Sequence, residues 1–273
     1  MTSTYPAPVD QLLTLGEPES GGEWRDYRAL GLADEHVPAL LALVEDPRVS
    51  WLAWEEGEEL EPYWAPLHAW RALGQLGASS SAEALVRVLL RDDDDDWATA
   101  DIPRVLGMIW PSSLEPVLAA FPAAAREPEP WKMARLGEAL VHISRVHPEI
   151  RDQAVDVLTR QLRVWPNQTE EMNGFLVWDL LELQAVEAAP VMREAFEAGA
   201  VDESMVGDWE DVQVALGLLA RRATPAPRYK FELPHRVRRV RTPAPVPGST
   251  SAAAKSRQLR KAQKQAAKKK RRK

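Results

Sequence analysis

The chain of 273 residues contains no cysteine. That excludes a disulfide framework, a thiolate nucleophile and any zinc or iron–sulfur site ligated by cysteine. Long apolar runs are missing too. The longest, Val37 to Val44 and Pro116 to Ala125, fall far short of the roughly 18 residues that a membrane span needs. Residues 1–8 carry no basic side chain ahead of an apolar stretch, so the sequence predicts no secretory leader and a cytoplasmic, soluble protein of bacterial type. Phenylalanine and tyrosine are scarce at 4 each, against 11 tryptophans. Sustained two-residue alternation is absent, and with it the signature of strands.

Lysine is nearly absent from most of the chain, since Lys132 stands alone before residue 221. Residues 1–220 hold 15 bases against 40 acids, a formal −25, whereas residues 221–273 hold 19 bases and the single acid Glu232, a formal +18. The overall −7 therefore describes neither part. Residues 223–254 read as a linker rich in proline and serine. Residues 255–273 read as a disordered basic tail, because they offer too little apolar surface to offset chain entropy.

Helical periodicity fills the rest. Met133, Leu136, Gly137, Leu140 and Ile143 share one face, as do Ile150, Ala154, Val157, Leu158 and Leu162, and then Met172, Phe175, Leu176, Leu180 and Leu183. Ser80-x-x-Glu83 and Ser112-x-x-Glu115 have capping-box spacing. Similar segments recur: Val37-Pro38-Ala39-Leu40, Glu83-Ala84-Leu85-Val86, Glu115-Pro116-Val117-Leu118, Gln153-Ala154-Val155-Asp156 and Ala189-Pro190-Val191-Met192. Leu73-Gly74, Leu106-Gly107 and Leu136-Gly137 repeat in the preceding helices, which predicts close helix–helix approach at the glycines. Two-helix units at this period predict an all-α fold, a right-handed α-solenoid of about five pairs over residues 1–222. The pairs are 24–31 with 35–46, 61–77 with 81–91, 97–109 with 113–125, 130–146 with 149–163, and 171–185 with 187–198. Residues 8–16 cap the front and 208–222 the back.

These units resemble HEAT-type repeats of the short variety found in phycobilisome-lyase HEAT-like proteins. Trp64-Ala65-Pro66-Leu67-His68-Ala69-Trp70, Asn173-Gly174-Phe175-Leu176 and Gly207-Asp208-Trp209-Glu210-Asp211-Val212 are similar to segments of a bacterial HEAT-like family of unknown function. Members of that family often end in a SEC-C zinc motif, and here a basic tail stands in its place. The resemblance implies a fold and not a reaction.

The chemistry of related enzymes finds little footing. Deoxyhypusine hydroxylases bind di-iron through His-Glu dipeptides, but His36, His68, His142, His147 and His235 precede Val, Ala, Ile, Pro and Arg. HEAT-like DNA glycosylases need a basic groove, which a body at −25 does not offer. A lyase or other enzyme using groove carboxylates is the second hypothesis. Glu138 and His142 share a helix face at metal-ligand spacing, but no second pair completes a shell. The run Asp92–Asp96 and the cluster Glu55, Glu56, Glu58, Glu59 and Glu61 read as solvated turns. No catalytic residue, metal ligand or cofactor is assigned.

The leading expectation is a non-enzymatic scaffold whose groove takes a protein or peptide, with Trp51, Trp54, Asn173, Asp208 and Asp211 as candidate partner-binding residues. The tail residues Lys255, Arg257, Arg260, Lys261, Lys264, Lys268, Lys269, Lys270, Arg271, Arg272 and Lys273 are the candidate polyanion contacts, for RNA, DNA or ribosome. Without aromatics for stacking, such contacts would be blind to sequence. A nucleic-acid accessory protein bound through this tail alone is the third hypothesis. Contact of the tail with the acidic body in cis is a further expectation, and membrane attachment is not expected.

Overall fold

Proline enters three helices where its missing N–H is harmless, at the second position: Pro38 in α1 (Val37–Glu45), Pro66 in α2 (Ala65–Leu76) and Pro190 in α9 (Ala189–Glu197). The computed structural model describes residues 5–18, 23–50, 53, 59–91, 95–127 and 130–227. Among these the chain is all-α, with no strand. The other helices are α3 (Ala82–Leu89), α4 (Asp96–Met108), α5 (Leu114–Ala124), α6 (Trp131–Val146), α7 (Arg151–Leu162), α8 (Glu170–Glu182), α10 (Glu203–Val206) and α11 (Trp209–Ala215). A 3-10 helix, Val9–Thr14, buries Val9 and Leu12 at the front end.

Two local expectations are corrected. Residues 24–31 form no helix; only Arg28–Leu30 makes a 3-10 turn, closed by Gly31 at φ +86°. A helix of two turns cannot repay its own nucleation, and here the backbone groups of Arg25 and Tyr27 bond instead to the side chain of Gln75. The serine capping boxes do not form either. Ser80 lies inside a 3-10 turn, Ser79–Ser81, and Ser112 in the turn before α5; the residues that do precede α3 and α5, Ser81 and Ser113, have helical backbone angles, and their side chains do not cap. A cap needs extended backbone at that residue. Asp95, Thr169, Asp202 and Asp208 have it, and their side chains accept from the N–H groups of the first turns of α4, α8, α10 and α11.

The helices pack in two rows. In one, α2, α4, α6 and α8 each lie on the next, and α1 packs on α2. The second row covers the first, with α3 on α4, α5 on α6 and α7 on α8. Contacts along the first row keep step: Trp64, at the entry to α2, meets Trp97 and Arg71 meets Asp101 of α4, while Trp131 meets Phe175 and Arg145 meets Glu182 between α6 and α8. Contacts in that order require neighbours in the row to run parallel. A continuous apolar core extends from Val9 to Leu216 and includes the stripes of Met133, Leu136, Leu140 and Ile143 and of Met172, Leu176 and Leu180.

The recurrent glycines lie where the row is tight. A β-carbon at Gly74 would be 3.2 Å from Val105 and Met108, and one at Gly107 would be 3.4 Å from His142. At Gly137 it would fall inside the carboxyl of Asp179, 2.8 Å from Cγ.

Candidate binding surface

The outer face of α2 is covered by the chain itself. Residues 24–27 cross it without regular secondary structure. The Gln75 side chain holds this segment as a second backbone would: its Oε1 accepts from Tyr27 N–H at 2.9 Å, and its Nε2 donates to the Arg25 carbonyl at 2.8 Å. Arg28 then donates to the Gln75 carbonyl at 3.0 and 3.2 Å. Beneath, the buried Tyr27 hydroxyl lies 2.7 Å from Nδ1 of His68, whose Nε2 lies 2.9 Å from the Gly16 carbonyl. A carbonyl only accepts, so Nε2 carries the proton and Nδ1 accepts from the phenol. Burial lowers the His68 pKa to about 4 and raises that of Tyr27 to about 12, so both are neutral at pH 7.

Trp24 extends the segment to α4. Its ring receives the Arg104 guanidinium at 4.0 Å and that of Arg71 at 4.9 Å. Arg71 is buried and donates to Asp101 at 2.6 Å, so the charge beneath Trp24 is paired.

Beyond Trp24 the same face continues over α4, α6 and α8. Arg104 and Met108 lie one turn apart on α4. Trp131, Glu138, His142, Arg145 and Val146 follow helical spacing along α6, and Phe175, Trp178 and Glu182 follow it along α8. The last two stripes meet at both ends, through the Trp131–Phe175 edge contact at 5.6 Å and the Arg145–Glu182 ion pair. Trp131 and Val146 are each 53% exposed and Met108 39%. Single exposed apolar side chains are ordinary; three along two adjacent helices make a strip. His142, set between Arg104 and Arg145, is held below its ordinary pKa by burial and then by those two charges. Under the strip, Asp179 is buried with Oδ2 unpartnered among the described residues, and burial, then Glu138, pushes its carboxyl well above the usual range while Arg145 opposes the shift.

The far end of the molecule carries an acidic clasp. Gly207 at φ +84° turns the chain into α11, where Asp208 and Asp211 form a capping box. Arg222 comes back onto both, with 2.6 Å contacts to Asp208 and to Asp211. Glu210 accepts from the N–H and hydroxyl of Thr224 at 3.0 and 2.7 Å. Arg222 holds Asp208 below its usual pKa, while burial, then Asp208 and Asp211, raise Glu203. Trp209 packs on Phe196 with centroids 5.7 Å apart, and a hollow opens on either side of its ring.

Of the residues singled out from sequence, Asn173, Asp208 and Asp211 lie among the described residues, and each is engaged within the chain. Asn173 is fully buried; its amide donates to the carbonyls of Trp165 at 3.2 Å and Ala200 at 2.7 Å and accepts from Gln168 at 2.7 Å. Trp51, Trp54 and the tail from Lys255 to Lys273 lie outside the described residues. Asp92–Asp94 also lie outside, while Asp95 caps α4. No group of three or more His, Asp or Glu among the described residues is placed to hold a metal ion, and no helix there is long and apolar enough to cross a membrane. The segment from Trp24 to Arg28 escaped sequence reasoning. Its signal was the pairing of aromatics with arginines, which periodicity alone passes over. No protein-family model, curated protein or solved structure matches this chain.

Proposed function

We propose that the protein is a non-enzymatic binding scaffold: a right-handed α-solenoid of HEAT-like helix pairs that takes an extended peptide or protein segment along the row α2–α4–α6–α8. The observation that carries this reading is the chain's own segment 24–28 lying across α2, bracketed by Gln75 and anchored by Trp24 and Tyr27. The adjoining strip of Met108, Trp131, Val146 and Phe175 offers the same kind of surface with nothing of the described chain upon it. Parallel helices in step along that row support the solenoid. The mixture of apolar and aromatic side chains favours a scaffold over the alternative of a lyase or other enzyme working through groove carboxylates. Glu182 is paired with Arg145, and Asp179 faces Gly137 rather than solvent.

Panning a random peptide display library against the full chain tests this. Selected peptides should lose at least tenfold in affinity for Met108→Glu and Val146→Glu. Failure to select any peptide, or selection of peptides indifferent to both changes, overturns the reading.

A second reading concerns the other end. The division of charge, −25 in residues 1–220 against +18 in 221–273, supports attraction of the basic region to RNA, DNA or ribosome without regard to sequence. It equally supports contact of that region with the acidic body in cis, where a tether gives high effective concentration. The place of action on this reading is the cytoplasm.

A further inference from the structure

We propose that the segment Arg228-Tyr229-Lys230-Phe231, which lies outside the described residues, docks back on the hollow beside the packed Phe196–Trp209 pair, with an aromatic side chain in the hollow and a base on its acidic rim. The hollow is lined by Phe196, Glu197, Glu203, Asp208, Trp209, Glu210 and Thr224, and has a volume of about 300 Å³. That is at the lower limit for a small-molecule site and is a size suited to one large side chain. Its apolar lining is the packed pair of aromatic rings, and four carboxylates stand around it.

Three features of the chain select this occupant. The first is position. Thr224 itself lines the hollow and is held there by Glu210. Arg228 follows only four residues later, within about 14 Å of extended chain. The second is charge. Arg222 already sits on Asp208 and Asp211, whereas the Glu203 side chain is exposed on the rim beside them. Residues 228–241 supply six further bases against the single acid Glu232. The third is composition. Tyr229 and Phe231 are the first aromatics after Trp209, and they alternate with Arg228 and Lys230. In extended backbone the two kinds of side chain leave on opposite faces, so aromatics can enter while bases remain at the wet edge. Docking in cis would extend the clasp begun at Arg222 and leave residues 255–273 free for an outside polyanion. The proposal does not depend on peptide binding along the α2–α8 row, and failure of either leaves the other standing.

Limited trypsin digestion of the full chain tests it. Cleavage after Arg228, Lys230, Lys255 and Arg257 is timed by mass spectrometry, with a synthetic peptide of residues 222–273 supplying the intrinsic rate at each bond. Arg228 and Lys230 should be cut at least tenfold more slowly than in the peptide, and Lys255 and Arg257 at the peptide's rate. The surface change Glu203→Lys, together with Trp209→Ala shown to be folded by circular dichroism, should restore rapid cutting after Arg228 and Lys230. Peptide-like rates at Arg228 and Lys230 in the unaltered chain overturn the proposal. So does protection that survives both substitutions.

Discussion

The carboxyl of Asp179 on α8 occupies the space that a side chain at residue 137 on α6 would fill. A mid-helix glycine ordinarily gives up about 1 kcal/mol against alanine, so Gly137→Ala would stabilise an isolated α6. In the folded chain it forces the new methyl into Asp179, and overpacking outweighs the helical gain by about 1–3 kcal/mol. Chemical denaturation should show this loss for Gly137→Ala. In an Asp179→Ala background the same change should be neutral or stabilising. At Gly107, where the nearest atom would be 3.4 Å away, alanine should cost little or nothing. A similar loss at both glycines would contradict the packing described.

Asp179 also makes stability depend on pH. Its native pKa lies well above the usual carboxylate range, raised by burial and by Glu138. The folded state therefore holds a proton that the unfolded chain releases near pH 4. That contribution is full below about pH 4 and is lost as pH rises through the native pKa. Asp179→Asn keeps a neutral group of the same shape and removes the dependence. Urea unfolding should find the variant gaining on the parent between pH 4.0 and 7.5. An unchanged difference between the two pH values would contradict this.

His68 works in the opposite direction. Its native pKa of about 4 lies below the unfolded value of about 6.5. The neutral ring's contribution is full above pH 6.5 and is lost as pH falls from there towards 4, up to roughly 3 kcal/mol for such a shift. Nitrogen chemical shifts of the imidazole should show the Nε2–H tautomer persisting at pH 5.5. Tyr27→Phe removes the donor to Nδ1 and should lower stability by about 1 kcal/mol or somewhat more at pH 7. A His68 that titrates near 6.5 would contradict the burial of His68 beneath the segment that crosses α2.

Asn173 ties the turn after α7 to the segment leading into α10. Substitution by alanine leaves the Trp165 and Ala200 carbonyls without this donor in a buried place, and should cost roughly 2–4 kcal/mol. Asn173→Asp replaces the amide by a carboxylate, which cannot donate to either carbonyl, and should be no better. Thermal melts of both variants check this, and a melting temperature unchanged in either would contradict it.

Much of the helical layout was legible because burial writes itself as periodicity. The stripes around Leu136, Leu158 and Leu176 are buried as spacing required, and the first-turn prolines mark helix starts. The register of Gly74 and Gly137 announced close approach; at Gly107 a β-carbon would meet ordinary contact. That a carboxyl lies against Gly137 could not be read, because the contact joins residues 42 apart in sequence and depends on how α6 meets α8. Residues 24–31 misled for a related reason. Tyr27 is buried against His68 of α2 and Trp24 lies against Arg71 and Arg104, and Gln75, 48 residues from Tyr27, takes the hydrogen bonds a helix would have made. The serine caps failed because α3 and α5 each start one residue later than the Ser-x-x-Glu spacing placed them, behind Ser81 and Ser113 in helical backbone. Asn173, Asp208 and Asp211 were candidates in segments that resemble a HEAT-like family; their observed bonds run within the chain.

The proposal that the acidic helical body and the basic region take separate ligands is tested most directly by salt titration of RNA binding. Fluorescence anisotropy with a labelled single-stranded RNA would compare the full chain, a truncation after Pro227 and the full chain carrying Met108→Glu. Affinity should fall steeply with salt, by about 0.7 in log K per log unit for each phosphate engaged. The slope should be the same for Met108→Glu, and the truncation should not bind. Binding that survives truncation, or that Met108→Glu abolishes, would contradict the proposal.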